Sequence, residues 1–104
     1  MPLFAAVIDD LFGDPHLARN ALWFPGGDGD AVPVHVILRR PDRVGGFGET
    51  RIAASAVEVE VRVAEAPTLA SSDVFEVGGE RYLVEGTPLA DGERLVWRVQ
   101  ARLT

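Results

Sequence analysis

From position 57 to position 63 the chain places valine at every second residue, Val57, Val59, Val61 and Val63, with Glu58, Glu60 and Arg62 between them. Successive side chains of a strand point to opposite faces, so this pattern predicts a strand with one apolar and one charged face, as in a half-buried antiparallel sheet. β-branched side chains suit the pleated surface. A strand of this kind needs partners on both edges and a core beneath it. The rest of the chain supplies candidates. Val32 to Arg40 alternates, with Val34, Val36 and Leu38 on one face and His35, Ile37 and Arg39 on the other, and it stops at Pro41. Ala21 to Phe24 reads as a short strand, although Leu17, Ala18 and Ala21 also allow a helical continuation. Val74 to Val77, Gly78-Gly79 and Glu80 to Glu85 read as a tight hairpin whose glycines supply positive φ. Gly86 to Gly92, with Pro88 and Asp91-Gly92, reads as a turn region. Leu95 to Leu103 alternates again.

Residues 3–12 differ. Phe4, Val7, Ile8 and Leu11 fall at i, i+3, i+4 and i+7, one stripe of an amphipathic helix. Pro2 suits a first helical position, Gly13 sits just past the end, and Pro15 blocks continuation. Two to three turns are too few to be stable alone, so the helix must pack on something. One short N-terminal helix and about six strands at turn-punctuated spacing predict a mostly β fold, a small antiparallel barrel or sandwich. No internal repeat, low-complexity segment or linker interrupts it.

At 104 residues the chain has the length of one domain, taken as 1–104, and is too short for two lobes with a cleft between them. Its formal net charge is −6, and every basic residue is an arginine. That balance argues against non-specific nucleic-acid binding, which needs cationic surface. With no cysteine, thiolate metal sites, disulfides and cysteine nucleophiles are excluded. No apolar run reaches the roughly 20 residues of a membrane-spanning helix. The opening MPLFAAVIDDLF lacks a basic region ahead of its apolar residues and does not read as a signal peptide.

The groups that could carry chemistry are few. Asp9, Asp10, Asp14 and His16 lie close in sequence. The two aspartates fit the polar side of the helix and Asp14-Pro15 fits a turn, so no metal or catalytic role is assigned. His16 and His35 lack converging partners of the kind a metal needs. Ser55, Ser71 and Ser72 lack the strand–turn–helix setting of a nucleophile elbow. Gly45-Gly46-Phe47-Gly48 fits neither a dinucleotide fingerprint nor a P-loop. The reading is of no catalytic residue, no cofactor and no metal.

What stands out instead is a set of contact residues. Arg39, Arg40, Arg43 and Arg51 place four of the ten basic residues within thirteen positions around a Gly-rich loop at about 41–51. They are either a solvated strand end balanced by Asp42 and Glu49 or a patch for an acidic surface or polyanion. Phe47 sits among three glycines, and a large apolar residue on such a loop suits burial in a partner. Phe4 and Phe12 of the helix are further candidates. A short helix, a bare aromatic and an open barrel with unpaired edges together read as a subunit completed by neighbours, with head-to-tail contacts closing a ring.

The order and spacing of several segments resemble the phage head–tail joining family, the small connector or stopper subunits of tailed phages and gene transfer agents. The carriers are Phe4–Phe12, Pro33–Asp42 ahead of the Gly-rich loop, the valine strand Val57–Val63, the hairpin Asp73–Val84, and Glu93–Trp97. The likeness runs from Phe4 to about Arg102, and the compact form is closer to the gene-transfer-agent and prophage branch than to the lambda protein. It implies a barrel related to the tail-tube barrel, with the N-terminal segment and the loop at Arg43–Thr50 used for assembly. It implies a homo-oligomeric ring, a hexamer in the particle, between a head-side portal or adaptor ring and a tail terminator ring, in the virion neck. DNA would pass through the ring's lumen without sequence-specific binding, and no membrane is involved. The family has no catalytic residues to carry over. The other reading is a small ligand- or carbohydrate-binding β-barrel module, which would need Trp23, Phe24, Tyr82 and Trp97 to converge on one face. Trp97 shares its face with Leu95 and Val99 and reads as core.

Overall fold

The computed structural model describes residues 2–40 and 56–104, with side chains from Ala5 onward. Helix α1 spans Pro2–Phe12 and is followed by strand β1 (Arg19–Phe24), a single 3-10 turn (Pro25–Gly27), β2 (Val32–Arg39), β3 (Ala56–Arg62), β4 (Val74–Val77), β5 (Glu80–Ala90) and β6 (Val96–Leu103). All pairs are antiparallel and the sheet closes in the order β1-β2-β3-β6-β5-β4. The fold is mostly β, as the alternation predicts.

Closure corrects one expectation. The barrel is not open. β1 pairs β4 through Leu22↔Glu76, Trp23↔Phe75 and Phe24↔Val74, so every strand has a neighbour on each side. The cause is the inward packing of Trp23 and Phe75, which are 4% and 0% exposed. These rings fill a barrel that would otherwise gape, and the alternating valines Val34, Val36, Val57, Val59 and Val61 complete the interior. In a six-stranded barrel such side chains leave no passage along the axis. Each buried valine contributes about 1.5–3 kcal/mol. The connector after β3 contributes Ala66 and Leu69 to the core, 0% and 6% exposed.

The hairpin forms as predicted. Gly78 and Gly79 have φ of 62° and 85°, and Val77 faces Glu80 across a two-residue turn. β5 is longer than predicted. It runs past Glu85 to Ala90, and the register against β6 shifts between Glu85 and Leu89. Gly86, at φ 80°, takes the irregular position, and Pro88, which has no N–H to donate, fits within it. The expected turn is confined to residues near Asp91. The Asp91 carboxylate accepts from the amides of Leu95 and Val96 there.

Among the described residues one charged side chain is buried. Asp73 is 4% exposed and accepts three hydrogen bonds, from Trp23 Nε1 at 2.8 Å, Gly26 N at 2.8 Å and Ala70 N at 3.0 Å. It ties β1, the 3-10 turn and the β3–β4 connector together.

Candidate functional site

Helix α1 lies against the outside of the barrel, and its seat is built around Arg62 at the end of β3. The Arg62 guanidinium bonds Asp9 Oδ1 of the helix at 2.9 Å and Glu65 Oε2 at 3.1 Å. Its carbon stands 5.6 Å from the centroid of the Phe12 ring. Glu65 in turn accepts from His35 of β2 twice, from the backbone N–H and from Nδ1, both at 3.0 Å. One arginine thus links the helix, β2, β3 and the connector. Burial alone pushes the Glu65 carboxyl up, but the His35 bonds and the Arg62 charge outweigh it and hold Glu65 below the ordinary carboxylate range. Arg62 Nε is buried with no partner.

This seat changes which face of the helix is covered. The stripe read from the sequence is Phe4, Val7, Ile8 and Leu11. Among the described side chains, Phe12 is the deepest at 2% exposure, Ala5 and Ile8 are half-buried, and Val7 and Leu11 are 48% and 39% exposed. Stacking of Arg62 on Phe12 and the Arg62–Asp9 pair turn the helix so that Phe12 faces the barrel. An apolar ridge, Val7 and Leu11, is left outward. A helix apolar on two sides is normally covered on both.

Beside the helix runs a groove of about 550 Å3. Leu11 and Phe12 form one wall, Leu89 and Ala90 the other, and Ile37 and Val96 lie along it. Leu89 is 66% exposed. The charges on the sheet here are mostly matched. Arg39 reaches Glu60 at 3.3 Å, and Arg98 reaches Glu58 at 2.8 Å and Glu60 at 3.5 Å. The groove is therefore apolar and internally neutralised, suited to a protein surface rather than to a small charged ligand.

The structure separates the two described arginines of the sequence-predicted patch. Arg39 joins the ladder on the outer face of the sheet. Arg40 donates to Tyr82 Oη at 3.2 Å, and Tyr82 donates to Glu80 at 2.9 Å. The two do not converge on a shared anion position. Arg43, Phe47 and Arg51 lie outside the described residues, as does the Phe4 side chain. Phe12 is covered by its own barrel and by Arg62.

The aromatic residues do not gather on one surface. Trp23 and Tyr82 are inside the barrel, and Phe24 lies under Arg81 with the guanidinium 4.6 Å from its ring centroid. Trp97 packs on the edge of the core and donates Nε1 to Ala66 O at 2.9 Å. Among the described residues no three His, Asp or Glu side chains are grouped to hold a metal ion, and no helix is long and apolar enough to cross a membrane. Sequence reasoning missed Arg62, Glu65 and Asp73. The signal available for the first two was their i, i+3 spacing at a strand end. Asp73 gave little, because two of its three partners, Trp23 and Gly26, lie 50 and 47 positions away.

No curated protein matches the chain. The model of the Phage Head-Tail Attachment protein family matches residues 1–101, which take in the helix, its seat on Arg62 and nearly all of the barrel. The chain therefore belongs to that family of phage structural proteins joining head to tail.

Proposed function

We propose that the chain is a non-catalytic connector, or stopper, subunit in the neck of a tailed phage or phage-like gene transfer agent. Copies form a ring, hexameric in the particle, between the portal or adaptor and the tail terminator, and DNA passes through the lumen. The observation that carries this reading is the family match across 1–101. The outward Val7–Leu11 ridge and the neutralised apolar groove support assembly with other protein surfaces. The filled barrel supports a lumen formed between subunits rather than through one. A net charge of −6 supports passage without gripping, since each phosphate neutralised by a cation adds affinity through counterion release. Phe4, Arg39, Arg40, Arg43, Phe47 and Arg51 are assigned to contacts with neighbouring subunits or tiers, while Phe12 acts indirectly by seating α1.

Deleting the gene and imaging the products tests the role. Filled heads and separate tails, rejoined on complementation, are the expected result. Intact joined particles without the protein would overturn it.

A further inference from the structure

The chain contains two Asp-Gly pairs in nearly the same local sequence, Asp28-Gly29 followed by Asp30 and Asp91-Gly92 followed by Glu93. At such a pair the main chain can rearrange, because the amide nitrogen after the aspartate can reach the side-chain carboxyl carbon when no Cβ on the next residue stands in the way. The structure holds the two pairs differently. At the second, Asp91 Oδ1 accepts from the amides of Leu95 at 2.7 Å and Val96 at 3.2 Å. The Asp91 main chain is held as well, its N–H donating to Val96 O at 3.2 Å and its carbonyl accepting from Arg94 N at 3.0 Å. The Asp91 carboxyl cannot swing toward Gly92 N without giving up bonds of this turn.

Asp28-Gly29 lies in the link between the 3-10 turn and β2, and Asp28, Gly29 and Asp30 are all exposed. Asp28 has an extended backbone, with φ −151° and ψ −174°. Gly29 sits at φ 90°, with open space where a Cβ would stand. Among the described residues, the last anchor before the pair is the bond from Gly26 N to Asp73, and the next is the pairing of Val32 with Trp23. Between those anchors rotation about the bonds of Asp28 brings its carboxyl and Gly29 N together without breaking any contact to the described barrel.

We propose that Asp28-Gly29 is a site of covalent self-modification, at which Asp28 converts to isoaspartate in the folded protein while Asp91 is spared. The Gly29 nitrogen attacks Asp28 Cγ. The N–Cγ bond forms, the Cγ–OH bond of the carboxylic acid breaks, and the hydroxyl leaves with the amide proton as water. Water then opens the five-membered succinimide. Cleavage of the N–Cγ bond restores aspartate. Cleavage between the nitrogen and the main-chain carbonyl carbon instead leaves the chain running through Cγ. The water lost is the water returned, and nothing is oxidised or reduced. The product has one more methylene in its main chain, and its free carboxylate is the former main-chain carbonyl. The exposed link between Gly26 and Val32 takes up that methylene without disturbing the β1–β2 register.

The full chain, aged for weeks in warm neutral buffer, is sampled with isoaspartyl methyltransferase and S-adenosylmethionine, and peptide mapping by mass spectrometry assigns each methyl-accepting position. Isoaspartate is expected to accumulate at position 28, and at least about tenfold more slowly at position 91, where reaction waits on local opening. In the urea-unfolded chain the two positions are expected to react at similar rates, because their neighbours in sequence are alike. Equal rates in the folded protein, or no accumulation at position 28, would overturn the assignment. The same ratio of rates folded and unfolded would also overturn it, since local sequence rather than structure would then separate the sites. Asp28→Glu, whose longer side chain would have to close a six-membered ring, is expected to abolish the signal from this link while leaving the circular dichroism spectrum unchanged. An undiminished signal from that variant would place the isoaspartate elsewhere and defeat the proposal.

Discussion

Arg62 holds Asp9 at 2.9 Å across the gap between barrel and helix, and the same guanidinium covers the Phe12 ring. The two halves of that contact have unequal weight. Asp9 is 65% exposed, so its ion pair contributes only about 0–1 kcal/mol. Asp9→Asn is expected to shift the urea midpoint slightly. Arg62→Ala removes the cover of Phe12 and strips Glu65 of its nearest cation, and is expected to cost about 2–3 kcal/mol. Equal losses from the two variants in equilibrium denaturation would refute this division.

Glu65 makes stability depend on acid. Its folded-state pKa lies below the unfolded value, so ionised Glu65 favours the fold. That contribution is complete above the ordinary glutamate pKa of about 4.3 and is lost as pH falls through the lower value of the folded protein. Glu65→Gln should therefore narrow the difference in stability between pH 7 and the acid range relative to the parent chain. Parallel pH profiles for the two proteins would contradict the assignment.

Asp73 answers three donors from within the core. Asp73→Ala leaves the Trp23 indole and two backbone amides without a partner and is expected to cost about 2–4 kcal/mol. Asp73→Asn should not rescue it, because Oδ1 and Oδ2 both accept, and an amide nitrogen can replace neither. Thermal unfolding followed by tryptophan fluorescence reads both variants. An Asn variant as stable as the parent would refute the account.

On the proposed assembly role of Phe47, Phe47→Ala is expected to leave the unfolding free energy within about 0.5 kcal/mol of the parent. The same change should lower the yield of joined particles. Normal yield would remove Phe47 from the assembly contacts. A large loss of stability would place its ring in the subunit's own core.

The strands were legible because their side chains carry the signal locally. Val57, Val59 and Val61 alternate with charge, and all three are fully buried. Gly78-Gly79 marked the hairpin for a similar reason, since few other pairs accept two positive φ angles. Barrel closure was not legible. It depends on Trp23 meeting Phe75, a pairing across fifty-two positions that no local period encodes. The end of β5 was misread because Gly86 and Pro88 are turn residues that a β-bulge also accepts. The helix was found, but its buried face was not, because the rotation is set by Arg62 reaching in from another strand. The seat of α1 was invisible for that reason: Asp9 and His35 look like surface groups until Arg62 and Glu65 are placed between them.

Because β1 and β4 meet, the subunit's hydrogen-bonded girdle is complete before any neighbour arrives. In the proposed ring, a joint between two such girdles is made by side chains touching, so each piece can mature on its own and dock afterwards without reopening its backbone. The strength of the neck can then be tuned one surface residue at a time, while the barrel inside each piece stays unaltered.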